Sequence, residues 1–243
     1  MASRVFTVLE NNPEVMNDLA NKLGLSPALS FHDVYSLDDP DILAMVPRPV
    51  FAIVAIIPFT DAWEQDRKAE DANMALYDAS GPTEPVLWFK QTIVHGCGLI
   101  GFLHCVLNGV PKDMIVPGSA LGKVLEETTP LGREDRARYL NESQTLFDAS
   151  EAAARLGDTV APSADRAERL GQHFVAFVKG RDGHLWELEG SRKGPIDRGL
   201  LGEDEDLLSE KAVELGIGRL IKMQLAGGGD LRFSCVALAL QDR

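Results

Sequence analysis

The sequence predicts an α/β protein, and three observations carry that prediction. Helical periodicity appears twice with its own start and stop signals, at 12–24 and at 99–108. Between them, Pro49 to Phe59 is an apolar run too short to span a bilayer, and it reads as a buried central strand. Late in the chain, His173–Val178 and His184–Leu188 flank Gly180-Arg181-Asp182-Gly183, which is hairpin chemistry. With 243 residues, 45% of them apolar, the chain can bury a sizeable core as one large domain or two small ones.

The elements follow in order. Asn12 is an N-cap, Pro13 takes the first helical position and Glu14 supplies a first-turn acid. Val15, Leu19 and Leu23 then share a face, and Gly24 ends the helix. Val86 to Val94 is apolar and β-branched and reads as a strand, although Lys90 and Gln91 interrupt it. After Gly96 and Gly98, apolar residues at Leu99, Ile100, Leu103, Val106 and Leu107 mark a helix that stops at Asn108-Gly109, before Pro111. Ile115 to Glu127 holds Pro117, Gly118 and the helix-like SALGKVLEE. Arg133 to Ala154 is charged and largely helical. Gly157 to Gln172 turns polar around Pro162 and Ser163, with a helical turn expected near Arg166 to Leu170. Connections this long usually serve as lids or stay disordered. The acid run Glu203 to Asp206 reads as a solvated helix start. Phe233 to Leu240 is a last buried strand.

Composition excludes several classes. Asn11, Asn12, Glu14 and Asp18 stand where a signal peptide would need an apolar run. Three cysteines form no disulfide framework, and Cys97 and Cys105, about 12 Å apart on one helix, cannot pair. A reducing, cytoplasmic setting is expected. No cluster has metal-ligand spacing, so neither a metal nor a cofactor is expected. The net charge of −13 argues against nucleic acid and anionic membranes and favours a basic partner.

The chemistry concentrates in QTIVHGCGLIGFLHC. Cys97 stands between two glycines at the first turn of a helix, six residues after Gln91, and His173 begins a strand downstream. A helix N-terminus and a nearby imidazolium both lower a thiol pKa. Gly96-Cys97-Gly98-Leu99-Ile100-Gly101 also fits the dinucleotide fingerprint G-x-G-x-x-G, but the acidic residue closing a second strand about twenty positions on is missing. A plain buried cysteine is the third reading. Glu189, sixteen residues after His173, is the carboxylate placed to orient it. An odd hairpin loop puts the two opposite each other on one face, whereas a four-residue loop separates them unless a bulge intervenes. Glu187 faces the same way and competes for the role. His32, His104 and His184 read as structural or surface residues, and Trp88 and Trp186 as core.

Five stretches together resemble the ubiquitin C-terminal hydrolases, cysteine peptidases with a papain-like core. They are LENNPEVMNDLANKLGL, FHDVYSLDDPDILAMVPRPVFAIVAIIPF, FKQTIVHGCGLIGFLH, QHFVAFVKGRDGHLWELEGSRKGPI and FSCVALAL. The resemblance implies one catalytic domain over 1–243, an α-β-α sandwich around a mostly antiparallel sheet, and a crossover loop near Gly157 to Gln172 over the active site. It implies hydrolysis of small or unfolded adducts from the C-terminal glycine of ubiquitin or a ubiquitin-like modifier. Cys97 matches the nucleophile, His173 the general base and Gln91 the oxyanion donor. Glu189 stands where the family has aspartate, and His95 where it usually has asparagine. Leu9, Glu10 and Asp33 match positions that point to ubiquitin contact, and a monomer is the expected state. The alternative is a ubiquitin-binding protein with weak catalysis, in which the two departures mark decay.

Overall fold

The computed structural model describes residues 4–158, 171–229 and 232–241. In chain order the elements are α1 (Pro13–Leu23), β1 (Leu29–Asp33), α2 (Pro40–Leu43), β2 (Ala52–Pro58), α3 (Asp61–Ala72) and α4 (Cys97–Asn108). There follow α5 (Ala120–Thr128), α6 (Arg133–Glu142), α7 (Gln144–Ala154), β3 (Gln172–Lys179), β4 (His184–Leu188), β5 (Ile196–Leu200), α8 (Glu210–Leu215), α9 (Ile217–Ala226) and β6 (Ser234–Leu240). The strands form one six-stranded sheet in the order β1-β6-β2-β3-β4-β5, and every pairing is antiparallel.

Side-chain alternation gives the sheet two buried faces. Ala52, Val54, Phe174, Ala176, Val178 and Leu188 face a core completed by α1, α4, α5, α6 and α7. Ile53, Ala55, Ile57, Val175, Phe177 and Leu185 face a second core closed by α3, α8 and α9. The result is the α-β-α sandwich. The apolar run at 49–59 contributes β2, which lies between β6 and β3 and is buried on both sides. α1 forms as its caps direct: the Asn12 side chain accepts from Val15 N–H, and Gly24 closes the helix at φ 96°.

Two expectations need correction. Val86–Val94 joins no sheet strand; only Val94 forms a bridge, a parallel one with Val5. Its main chain bonds instead to side chains of α4: Leu87 N–H to Asn108 Oδ1 at 2.6 Å, and Phe89 N–H to His104 Nε2 at 3.0 Å. The apolar content reported burial, and the hydrogen bonds that burial demands came from a helix. The stretch 133–154 is helical as expected, in two helices that meet at Ser143, whose side chain caps α7 through Leu146 N–H. Glu203 to Asp206 does not start a helix, because α8 begins at Glu210 with Ser209 as its cap. Asp206 instead accepts from Val50 N–H at 2.9 Å and pairs with Arg48 at 2.5 Å, while Glu205 Oε2 accepts from Gly202 N–H. This run lies at the end of the sheet away from Cys97 and His173. The turn expected at 166–170 lies outside the described residues. Among the described residues, no helix is long and apolar enough to cross a membrane.

One buried ion pair ties the segment before α4 to the α5–α6 corner. Arg136 donates to both oxygens of Glu84, to Thr128 O at 2.9 Å and to Thr129 O at 3.0 Å. Tyr77 Oη donates to Glu84 at 2.9 Å. Arg136→Met would leave a buried carboxylate unpaired, and we expect a loss of about 3–5 kcal/mol in chemical denaturation. Adding Glu84→Gln should recover part of it. A single variant as stable as wild type would show that the pair contributes nothing.

Candidate active site

Cys97 is the first residue of α4, with Gly96 as a cap lacking any side-chain bond. A Cβ on Gly98 would meet Leu9 Cβ at 2.9 Å and Phe174 at 3.4 Å; one on Gly101 would meet Val54 at 3.2 Å and Phe174 Cβ at 3.3 Å. The two glycines cost helix propensity but let α4 lie directly on β2 and β3. This contact brings the start of β3 to Cys97, because the N–H of Phe174 points at the Cys97 thiol.

Burial dominates the electrostatics of that thiol and pushes it up to about 11, against the N–H groups of Phe174, Gly98 and Cys97 itself. The expectation that a helix terminus lowers the pKa of this thiol is therefore corrected: in this conformation desolvation wins. Burial raises Cys235 further, to about 12, and Cys105 beyond that.

His173 is the second residue of β3 and pairs with Ile57 of β2. Its Nε2 bonds to Glu189 Oε1 at 2.7 Å, which leaves Nδ1 as the nitrogen available to a thiol proton. The hairpin explains the meeting. Lys179 pairs with Leu185, so five residues connect the ladder and the loop is odd. His173 and Glu189 therefore share a face. Continuing the register sets Glu189 one diagonal step from His173 rather than directly opposite, a separation that a long side chain spans.

Glu189 is 1% exposed. Oε1 also accepts from Ser191 N–H at 2.7 Å, Oε2 from Arg67 Nη1 at 3.3 Å, and the carbonyl from Trp88 Nε1 at 3.3 Å. Burial works to raise this carboxyl, but the charge and hydrogen bond of His173, the Ser191 N–H and Arg67 outweigh it and hold it at about 2. It is a carboxylate at neutral pH. Its folded value lies below the ordinary 4.5, so its contribution to stability is present above about pH 4.5 and fades as pH falls towards 2. Glu187 does not compete for His173, because Arg198 holds it at 2.8 Å and Arg192 at 3.7 Å.

Gln91 reaches the site through its main chain, donating to Gly190 O at 2.8 Å beside Glu189. Its side-chain Nε2 makes only a long bond of 3.4 Å to Ile93 O, and its Oε1 is buried without a partner.

Residues 6–222 match the sequence profile of the family described as ubiquitin carboxyl-terminal hydrolase, family 1. The chain belongs to that family. It is 35% identical over 210 residues to a ubiquitin carboxyl-terminal hydrolase of Aplysia californica, covering 85% of this chain and 91% of the relative. It is 33% identical over 225 residues to ubiquitin carboxyl-terminal hydrolase 3 of Arabidopsis thaliana, covering 90% and 92%. The fold matches the Trichinella spiralis UCH37 catalytic domain, solved bound to ubiquitin vinyl methyl ester, with a TM-score of 0.72 at 17% identity over 100% of this chain and 98% of that one.

As a member of the ubiquitin carboxyl-terminal hydrolase family, the chain shows two departures with physical content. His95, where asparagine is usual, has φ 59°, the left-handed region that asparagine tolerates better than most side chains. Glu189, one methylene longer than aspartate, still meets His173 in good geometry. Of the residues expected to touch ubiquitin, Leu9 is corrected to a core residue, 2% exposed, that seats the first turn of α4. Glu10 accepts from Asn12 at 2.9 Å and Asp33 from Tyr35 Oη at 3.0 Å. Both flank the start of β6, where Asp33 pairs with Val236 and Ser234 bonds Asn11. The other histidines have local partners. His32 bonds Ser30 Oγ at 2.8 Å, His184 bonds Asp197 at 2.9 Å, and burial lowers His104 to about 3. Among the described residues no group of three His, Cys, Asp or Glu could hold a metal ion.

Sequence reasoning missed Trp63, Arg67 and Ser191. The signal was present in Thr60, which caps α3, and in the four-residue spacing of Trp63 and Arg67 on one face of that helix. The ordering of the three thiols predicts that limited iodoacetamide treatment labels Cys97 first, at a rate that climbs with pH through the neutral range. Peptide mapping that finds Cys105 or Cys235 labelled first would refute the ordering.

Proposed function

We infer that this protein is a thiol-dependent deubiquitinase that cleaves bonds to the C-terminal glycine of ubiquitin. The observation that carries the reading is the Cys97 turn packed on the start of β3, where His173 is held by an ionised, fully hydrogen-bonded Glu189. Cys97 Sγ attacks the scissile carbonyl as its proton passes to His173 Nδ1. Burial keeps the thiol neutral at rest, so transfer accompanies attack. The oxyanion is met by the Cys97 N–H and by the Gln91 amide, whose weak bond to Ile93 O is easily exchanged. His173 then gives its proton to the leaving amine, and the thioester forms. Water, deprotonated by His173, attacks the thioester, and Cys97 leaves with the proton restored. Glu189 holds the imidazole and stabilises its cation throughout. A carboxylate so completely engaged speaks against decay to a mere ubiquitin binder.

Three further features belong to this reading. The crossover loop expected near 157–172 would limit leaving groups to small or unfolded ones; its residues 159–170 lie outside the described residues. Its ends support this: Gly157 lies against Glu10, and Gly171 O accepts from Phe59 N–H at 2.9 Å, two residues before His173. Ubiquitin's basic surface meets the acidic rim at Glu10 and Asp33, in keeping with the net charge of −13. Three free cysteines suit a reducing, cytoplasmic setting.

Incubation with ubiquitin bearing a C-terminal electrophile should add one probe mass to the wild type and none to Cys97→Ala. Absence of an adduct, or one that survives the substitution, would reject the hydrolase reading. The wild type should also cleave a small ubiquitin amide far faster than isopeptide-linked di-ubiquitin; equal rates would remove the crossover loop as a size filter.

A further inference from the structure

We propose that Arg67, on the face of α3 that also carries Trp63, is a positioning residue that locks the Glu189 carboxylate and, through it, the His173 imidazole. The proposal rests on the hydrolase reading above.

The need for such a lock follows from the glutamate itself. Glu189 has one more rotatable bond than aspartate, and its terminal torsion is intrinsically broad. Both His173 Nε2 and Ser191 N–H bond to the same oxygen, Oε1. Held at that oxygen alone, the carboxylate could swing. Arg67 Nη1 takes the other oxygen at 3.3 Å and also donates to Ser191 Oγ at 2.5 Å, so it fastens the carboxylate to the loop that carries it.

Trp63 extends the lock to the imidazole. The Arg67 guanidinium lies 4.8 Å from the Trp63 ring, and the same ring meets His173 at 5.9 Å with a 36° tilt. Phe59 backs Trp63 edge-on at 4.7 Å. Trp63 and Arg67 are four residues apart, so one helix face presents both to the site.

Arg67 is also set apart from its neighbours. Glu70 and Asp71 bind Arg192 and Arg198, and Asp66 binds Arg219, which leaves Arg67 turned towards the active site. The titratable and charged groups around Glu189 are His173 on β3, Arg67 on α3, and Cys97 and His104 on α4. Burial holds the thiol and His104 neutral, so Arg67 is the permanent cation of that set. It touches neither the sulfur nor the position of the scissile carbonyl, and its effect runs through Glu189.

The sign of its effect is determined. Without Arg67 the Glu189 carboxylate is less compensated and attracts a neighbouring cation more strongly. The carboxylate is also free to turn. The test compares Arg67→Met with Arg67→Lys, which keeps the charge. NMR titration of the His173 ring is followed in the protein alone, and kcat and KM are measured on a small ubiquitin C-terminal amide. We expect Arg67→Met to move the imidazole titration upward by about one pH unit. It should lower kcat on the order of tenfold with KM little changed, and Arg67→Lys should restore most of both. A wild-type titration curve and kcat in Arg67→Met would overturn the proposal. So would an equal drop in melting temperature for both variants with the titration unmoved, which is what a merely structural arginine gives. The titration needs no ubiquitin. A wild-type enzyme inert towards the amide would therefore reject the hydrolase reading while the titration still decided the role of Arg67.

Discussion

The site depends on keeping one buried carboxylate charged. An ionised glutamate with 1% exposure is unfavourable unless its oxygens are well bonded, because desolvation in a protein interior costs several kcal/mol per ion. Glu189 meets that condition with partners drawn from separate parts of the fold: His173 from β3, Ser191 from the loop after β4 and Arg67 from α3. The carboxylate stays ionised only while the α3 layer, the hairpin and the following loop hold their places. Orientation of the base is therefore a property of the whole sandwich.

Cys97 is placed by a different kind of contact. Cys97 is held by close packing, through two glycines that let α4 rest on Leu9, Val54 and Phe174. No hydrogen-bonded side chain caps the helix, and burial keeps the sulfur neutral. The two halves of the chemistry meet at β3, where successive residues divide the work: His173 turns to the carboxylate, and the N–H of Phe174 turns to the thiol. The His173 side chain leaves one face of the strand, whereas the main-chain N–H of Phe174 lies in the plane of the sheet. The carboxylate that holds His173 is fastened from α3 in one layer, while Cys97 starts α4 in the other.

Much of this was legible in the sequence because it is locally encoded. The caps of α1, the periodicity of α4, the central apolar strand and the hairpin follow from short-range rules, and the odd loop of that hairpin is what lets Glu189 meet His173. What failed needed three-dimensional partners. Val86–Val94 looked like a strand because apolar β-branched residues report burial, yet its main chain is satisfied by His104 and Asn108. Leu9 looked like a contact residue and is a packing residue. The choice between Glu187 and Glu189 stayed open until the register and the arginines claiming Glu187 were known. Arg67 lay in a helix whose polar face drew no notice, because its importance depends on a residue 122 positions away.

The central claim is that Glu189 performs the orienting work usually given to aspartate in this family. The most direct measurement compares kcat and KM for wild type, Glu189→Asp and Glu189→Ala on a small ubiquitin C-terminal amide. The account predicts that Glu189→Asp keeps most of the activity. It predicts that Glu189→Ala loses roughly 10²–10⁴-fold in kcat with KM nearly unchanged, because the residue orients the base and does not bind substrate. Hydrolysis by Glu189→Ala at the wild-type rate would contradict it and assign the orientation of His173 to another group.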